Sequence, residues 1–462
     1  MKFDAIVIGS GQAGNPLAHN LADQGWSVAL IEEKYLGGTC INTGCTPTKT
    51  MVHRAQVAYY ARNGARWGVN ASEVSVDLRK IIEQKDKVVL AMRGGQERQA
   101  AKRPNIRLYR GHARFVSARR LNVGEEVLES DKIFIDTGGR PLIPPIEGLS
   151  DVPYLTNETA MQLTTVPEHL VVLGGGYIGL EFGQMFRRFG SRVTVVHRSA
   201  QIVPREDPEI AAELQKALEA EGIVFHLNAN TTRVARAANG VGKDQHLTLA
   251  VDIGGASTQI SGSQLLIAGG RLPNSDDLGL EHAGVERDDK GFIKVNGRLE
   301  TSVAGIWALG DVKGGPAFTH ISYNDFQIVY GNLIEGKNLS IEHRLVPYCV
   351  FTDPQLGGVG LTEKQAREKG HKLKIGKYPM TYVARAIERD ETAGLMKLVV
   401  DASNDMILGA SLLASEGGEL VQILHTLMLA KQPYTLLKGA MYIHPTLAEG
   451  FFGLMQSVRP VD

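Results

Sequence analysis

Glycine spacing constrains this chain more than any other feature. Residues 3–8 form a short apolar run, read as a buried parallel strand. Gly9, Gly11 and Gly14 follow, then a helix-like stretch to about Gln24 and a second apolar strand over residues 27–31 that ends at Glu32. The pattern recurs. Residues 169–173 read as a strand, Gly174, Gly176 and Gly179 follow, a helix leads to Gly190, and residues 192–196 form a strand ending at His197. Glu32 lies 23 residues after Gly9, and His197 lies 23 residues after Gly174. A single G-x-G-x-x-G is weak evidence. Two, each between strand and helix and each with the same offset, predict two nucleotide-binding α/β folds in series.

At 462 residues the chain exceeds one hydrophobic core. Asp207-Pro208 predicts another helix, with Asp as its cap, Pro at its first position, and Ile210, Leu214 and Leu218 as its apolar stripe. Short strands are expected to about Ile267. Residues 350–360 and 395–414 alternate apolar and polar positions between helices, which predicts a separate α+β domain from about residue 343. Lys plus Arg and Asp plus Glu balance at 50 each, giving no electrostatic reason for a nucleic acid or membrane partner. No apolar run approaches about 18 residues, and Met1-Lys2 leads straight into the first strand. Cytoplasm is therefore the expected location.

Gly9, Gly11 and Gly14 let the backbone approach a pyrophosphate at a helix N-terminus, and Glu32 suits ribose hydroxyls, so the first unit reads as an FAD site. Of three cysteines, Cys40 and Cys45 stand five apart in Gly37-Gly38-Thr39-Cys40-Ile41-Asn42-Thr43-Gly44-Cys45-Thr46-Pro47-Thr48-Lys49. That is not a common zinc spacing, no second pair completes four ligands, and no metal site is expected. In a regular helix the two would sit about 140° apart, so a disulfide needs distorted backbone. A helix is expected from Pro47, with Met51, Val52 and Ala55 buried. Its positive end favours thiolate in the cysteines before it. Structural disulfides are rare in cytoplasm, which favours a catalytic pair over a structural one.

This segment resembles the redox motif of the class I pyridine nucleotide-disulfide oxidoreductases, and the resemblance covers essentially the whole chain. It implies a flavin-proximal Cys45 in charge transfer with the ring, an interchange thiol Cys40 that attacks substrate, and Lys49 paired with Glu181 beside the flavin. Thr137-Gly138 and residues 269–274, including Gly270, resemble the crossover strands. Residues 305–311 resemble the second FAD motif, in which Asp311 holds the ribityl chain. Gly38, Thr39, Ala113 and His320 are expected at the same cofactor. The implied domains are FAD-binding (1–150 and 268–342), NAD(P)-binding (151–267) and dimerisation (343–462).

In the second unit the acid position holds His197, followed by Arg198, with Arg205 further on. An acid there would favour NADH, whereas bases suit a 2′-phosphate, so NADPH is preferred and NADH kept as the alternative. Tyr177 resembles the tyrosine that covers the flavin until nicotinamide arrives. His444 and Glu449, in Ile443-His444-Pro445-Thr446-Leu447-Ala448-Glu449, resemble the C-terminal motif in which a glutamate orients a histidine that manages the thiol's proton. In the family that motif completes the partner subunit's site, implying a homodimer. His425 reads as core or interface, and Cys349 as a small buried residue.

Residues 203–208, Arg385-Ala386 and residues 390–394 are similar to the mercuric reductase-like branch. Residues 38–42, 47–50 and 321–325 are similar to flavoproteins of reactive-chlorine resistance. The chain ends Arg459-Pro460-Val461-Asp462 without the C-terminal cysteine pair that would hand soft mercury inward. The expected activity is electron transfer from NAD(P)H through FAD and Cys40–Cys45 to a disulfide, metal ion or oxidant. A dihydrolipoamide dehydrogenase and a redox-sensing or metal-sequestering thiol protein are the alternatives.

Overall fold

A computed structural model of the chain describes residues 1–236 and 246–461. Strand β1 (Ala5–Ile8) leads into helix α1 (Gly14–Asp23) and strand β2 (Val28–Glu32). Helices α2 (Gly38–Asn42) and α3 (Cys45–Asn63) follow, then β3 (Ile106–Arg110) and β4 (Ile133–Ile135). The second unit runs β5 (His169–Leu173), α4 (Tyr177–Phe189), β6 (Arg192–Val196), α5 (Pro208–Ala220), β7 (Ile223–His226) and β8 (Gln264–Ile267). The chain then returns with β9 (Ile306–Ala308) and α6 (Thr319–Leu333). The last third holds β10 (Pro347–Val350), β11 (Gln355–Gly360), α7 (Glu363–Glu368), β12 (Leu373–Pro379), β13 (Leu395–Asp401), β14 (Ile407–Ala414), α8 (Gly417–Leu429) and β15 (Arg459–Val461).

Among the described residues, the first unit forms a parallel sheet in the order β9-β4-β1-β2-β3 and the second a parallel sheet β7-β6-β5-β8. The mixed α/β architecture is the one expected. The two glycine turns obey one steric rule. A Cβ at Gly9 would stand 2.1 Å from the Asp136 carbonyl oxygen, and one at Gly174 2.3 Å from that of Ala268. A Cβ at Gly14 would stand 2.2 Å from the Gly9 oxygen, and one at Gly179 2.0 Å from the Gly174 oxygen. Each helix thus presses onto the turn that precedes it, and only hydrogen fits between them.

The C-terminal sheet is antiparallel, β10-β11-β14-β13-β12-β15. The alternating pattern of residues 395–414 does not mark an exposed face. Instead β13 and β14 are buried almost throughout, because helices and the second unit cover both faces. Residues 350–360 are not one strand but the end of β10, a turn and β11.

Helix α5 keeps its expected stripe. Ile210, Leu214 and Leu218 are fully buried, each contributing about 1.5–3 kcal/mol. Asp207, expected to cap it, makes no side-chain cap bond. Its carboxylate goes instead to Lys397 Nζ at 2.8 Å and to the Glu363 N–H at 3.1 Å. Lys397 on β13 is 1% exposed and also meets Glu209 at 2.7 Å and Glu363 at 2.8 Å. Burial pushes the Glu209 carboxyl upward, but hydrogen bonds from Lys377 and Lys397 outweigh it and hold it near about 2.

This cluster fastens the second unit to the C-terminal sheet. Lys397→Met leaves the buried Asp207 carboxylate without its cation. It should cost about 3–5 kcal/mol, read as a lower urea-denaturation midpoint. An unchanged midpoint would show that the cluster does not fasten the units.

Candidate active site

The cysteine pair owes its geometry to a broken helix. α2 ends at Asn42, and α3 starts at Cys45, two residues before the expected Pro47. Gly44 makes the break with φ −126° and ψ −117°. Its hydrogen is needed, because a Cβ there would stand 2.8 Å from the Thr39 carbonyl oxygen. Pro47 then lies in the first turn of α3, where its missing N–H leaves no bond unmade. The Asn157 amide donates to the Thr43 carbonyl at 3.0 Å and clamps the break. Met51 and Ala55 are buried as expected, while Val52 is only partly covered.

Both cysteines are free thiols, and the break brings them into contact. A hydrogen bond from the Cys40 thiol draws the Cys45 thiol down to about 6; Thr319 and the Lys49 charge assist, against burial. Thr319 Oγ1 lies 3.1 Å from Cys45 Sγ. Cys40 moves the opposite way, because it keeps the shared proton. Lys49 Nζ meets Glu181 Oε2 at 2.5 Å, and Glu181 Oε1 accepts the Phe351 N–H at 2.9 Å. That pair joins α3 to α4 and to the strand end after β10.

One cavity of about 1650 Å³ runs from Gly9, Gly11 and Glu32 past both cysteines to Tyr177 and Glu181 at the start of α4. It exceeds the roughly 300–1000 Å³ of an ordinary small-molecule pocket, and it reaches the second turn only at Tyr177 and Ile178, with Gly174, Gly176, Gly179, His197 and Arg198 outside its lining. Glu32 Oε2 accepts from Ser10 N–H and Oγ–H at 3.1 and 2.7 Å, which aims the carboxylate at the cavity. Gly38, Thr39, Ala113, Thr137, Gly138, Asp311 and His320 all line the same cavity. The crossover strands pair through Thr137 Oγ1–H to the Asn274 carbonyl at 2.7 Å and Asn274 N–H to the Gly138 carbonyl at 3.0 Å. Gly270 accepts the Leu142 N–H at 3.0 Å. Arg271 Nε is buried, makes no hydrogen bond, and stands 3.7 Å from Asp311. An open groove along the first glycine turn and the unsatisfied Arg271 donor beside Asp311 fit FAD.

At the second turn, Gly176 caps α4 and Tyr177 packs against Phe318 at 5.8 Å between ring centroids. His197 corrects the expectation of a phosphate-facing base. Its ring lies under the turn, with Nδ1 accepting the Gly175 N–H at 3.1 Å, and burial lowers its pKa, which disfavours the charged form. Its buried Nε2 has no partner. Arg198 and Arg205 are exposed and carry the positive charge.

Two further expectations shift. Cys349 is not sealed in the core. It is half-buried in the cavity wall, and burial pushes its thiol to about 12. His425 also lines the cavity. His444 Nδ1 meets Glu449 Oε2 at 2.9 Å, yet the ring is 73% exposed and lies outside the cavity of its own chain. Among the described residues, no three His, Cys, Asp or Glu side chains converge as a metal site.

Residues 3–325 match the family model described as pyridine nucleotide-disulphide oxidoreductase, and residues 346–453 match its dimerisation domain. The chain belongs to the pyridine nucleotide-disulphide oxidoreductases. Among its relatives is the probable pyridine nucleotide-disulfide oxidoreductase RclA of Escherichia coli, 38% identical over 99% of this chain and 100% of that one. A mercuric reductase of Lysinibacillus sphaericus is 37% identical over 91% and 76%. A dihydrolipoyl dehydrogenase of Thermus scotoductus is 36% identical over 99% and 97%. The solved Cu(II) complex of the HOCl-induced flavoprotein disulfide reductase RclA from Escherichia coli superposes with TM-score 0.89 at 37% identity, covering 99% of both chains.

As a pyridine nucleotide-disulphide oxidoreductase, the protein is an FAD- and NAD(P)H-dependent flavoprotein disulfide reductase with a domain for homodimerisation. No helix among the described residues is long and apolar enough to cross a membrane.

Sequence reading missed Asp136, Thr319 and Lys397. For Asp136 a signal existed, since an acid directly follows the apolar run Ile133-Phe134-Ile135. Thr319 is brought to Cys45 only by tertiary folding.

The thiol geometry makes a prediction. In the reduced protein, iodoacetamide should alkylate Cys45 with a rate that falls as pH drops through about 6. Cys40→Ala removes the largest stabilising bond and should raise that midpoint by about one unit or more. A midpoint unmoved by Cys40→Ala would remove Cys40 as the donor.

Proposed function

We propose that this protein is an NADPH-linked reductase in which Cys45 is the flavin-side thiol and Cys40 the interchange thiol. The observation that carries the reading is the single cavity in which Cys40, Cys45, Lys49, Glu181 and Tyr177 meet between the two glycine turns. FAD would lie along Gly9, Gly11, Gly14, Glu32, Thr137, Gly138 and Asp311, where it supplies a two-electron relay between nicotinamide and the thiols. Lys49, paired with Glu181, adds positive charge beside the flavin and Cys45. Tyr177 covers the nicotinamide side until the nucleotide docks at Gly174, Gly176 and Gly179, with Arg198 and Arg205 on the 2′-phosphate and His197 bracing the turn.

Reduction opens the Cys40–Cys45 disulfide with two electrons and one proton, leaving Cys40 as thiol and Cys45 as thiolate. Cys40 then attacks the acceptor. His444, held by Glu449, takes and returns the Cys40 proton from the neighbouring subunit, which explains its exposure in a single chain. The domains follow the same reading: flavin 1–150 and 268–342, nucleotide 151–267, dimerisation 343–462. A reversible thiol pair fits the cytoplasm.

The acceptor is a small thiophile, either a soft metal ion or an oxidant. The Escherichia coli relative, HOCl-induced and solved as a Cu(II) complex, supports this reading over lipoamide.

The test is anaerobic titration with NADPH and NADH, followed by turnover with cupric, mercuric, hypothiocyanite, disulfide and lipoamide acceptors. A long-wavelength band should appear on reduction and vanish in Cys45→Ser. Failure to appear at all would sink the thiol relay. Arg198→Ala should weaken NADPH about tenfold or more relative to NADH. An unchanged ratio would assign the preference elsewhere. His444→Ala should slow turnover about 10²–10⁴-fold. Mixed dimers of His444→Ala and Cys40→Ser subunits should keep one intact site; inactive mixed dimers would put His444 and Cys40 in the same subunit's site.

A further inference from the structure

Asp136, the residue after β4, is where the two turns of the flavin half converge. Its Oδ2 accepts the Gly14 N–H at 2.7 Å, and the Ala13 N–H points at the same carboxyl. A Cβ at Gly11 would stand 2.7 Å from Oδ2, and one at Gly310 would stand 2.6 Å from Oδ1. The carboxyl is wedged between the start of α1 and the turn Gly310–Lys313. It is 6% exposed and forms part of the cavity wall.

Its charged surroundings are unfavourable to an anion. Asp311 from that turn and Asp325 from α6 both face it. The nearby cations are engaged elsewhere. Lys313 and Arg344 meet Asp325 at 3.1 and 2.7 Å, and Arg271 stands beside Asp311. α1 brings only backbone N–H groups, and Glu32 on β2 is turned to Ser10 and Lys34. Among the described residues, no salt bridge reaches Asp136. Burial, with these neighbouring acids, pushes its carboxyl well above the usual range.

The N–H groups that Asp136 takes are those a pyrophosphate uses at such a turn. An ionised carboxylate would set a further negative charge against the two of the pyrophosphate in a water-poor wedge. A neutral carboxyl removes that repulsion and offers an O–H donor.

We propose that Asp136 keeps its proton while FAD is bound, and that its ionisation loosens the flavin as pH rises. The inference rests on placing FAD at the first glycine turn. The sign follows from linkage. FAD favours the protonated carboxyl, so bound FAD raises its proton affinity. Flavin affinity therefore falls with rising pH, by up to about tenfold per pH unit between the free and loaded titrations.

The test strips FAD from the homodimer and follows rebinding by quenching of flavin fluorescence, from mildly acidic to alkaline pH. Wild type should weaken toward alkaline pH. Asp136→Asn, isosteric and neutral, should flatten the profile and bind more tightly at its alkaline end. An Asp136→Asn profile with the wild-type slope overturns the proposal. Absence of FAD binding at every pH overturns the flavin placement along with it.

Wild-type calorimetry in two buffers of different ionisation enthalpy keeps the test open if the variant does not fold. Uptake of up to about one proton per FAD at alkaline pH supports the proposal, and no uptake overturns it.

Discussion

Close backbone contact at two glycine turns is the constraint on which this structure depends. Gly9 presses on the residue after β4 and Gly174 on the residue after β8, while Gly14 and Gly179 press back on the turns themselves. The contacts set each helix N-terminus over the mouth of its sheet, where N–H groups face outward. Everything chemical is arranged around those two mouths. The cysteine segment leaves the first sheet after β2 and crosses to the second unit, where Lys49 meets Glu181. A methyl group at any of the four glycines would move a helix and with it one wall of the cavity.

The asymmetry between the two thiols is a local property with a local cause. Gly44 lets the helix break, the break turns Cys40 toward Cys45, and the shared proton then settles on Cys40. Helix end, Thr319 and Lys49 all act on the same sulfur. No long-range field is required.

Much of this was legible in the chain, and the reason is physical. Parallel strands and glycine turns are written locally, as apolar runs and fixed spacings, so β1, β2, β5, β6 and the stripe of α5 fell where periodicity put them. The cysteine pair was legible because spacing of five is incompatible with an unbroken helix. Burial of β13 and β14 on both faces was not legible, because it depends on what other units cover them. The setting of His197 was not legible for the same reason. The residue type suggests a base, but the Gly175 N–H and burial disfavour its charged form. Lys397 looked like any strand lysine until three carboxylates from α5 and α7 closed on it.

Fastening has a consequence for motion. Lys397 ties β13 to the start of α5, and Arg188 on α4 reaches Glu221 at 2.6 Å and Asp353 before β11 at 2.9 Å. The core adds Val350, Leu356 and Leu413 to the apolar residues of α4 and α5. The nucleotide unit is thus anchored to the dimerisation sheet by ion clusters and shared packing, and a hinge there would have to break both. In the reading proposed above, Tyr177 at the start of α4, packed against Phe318, would then have to admit nicotinamide by a movement of its own side chain. A reductase built this way would open and shut its nicotinamide side without moving its frame.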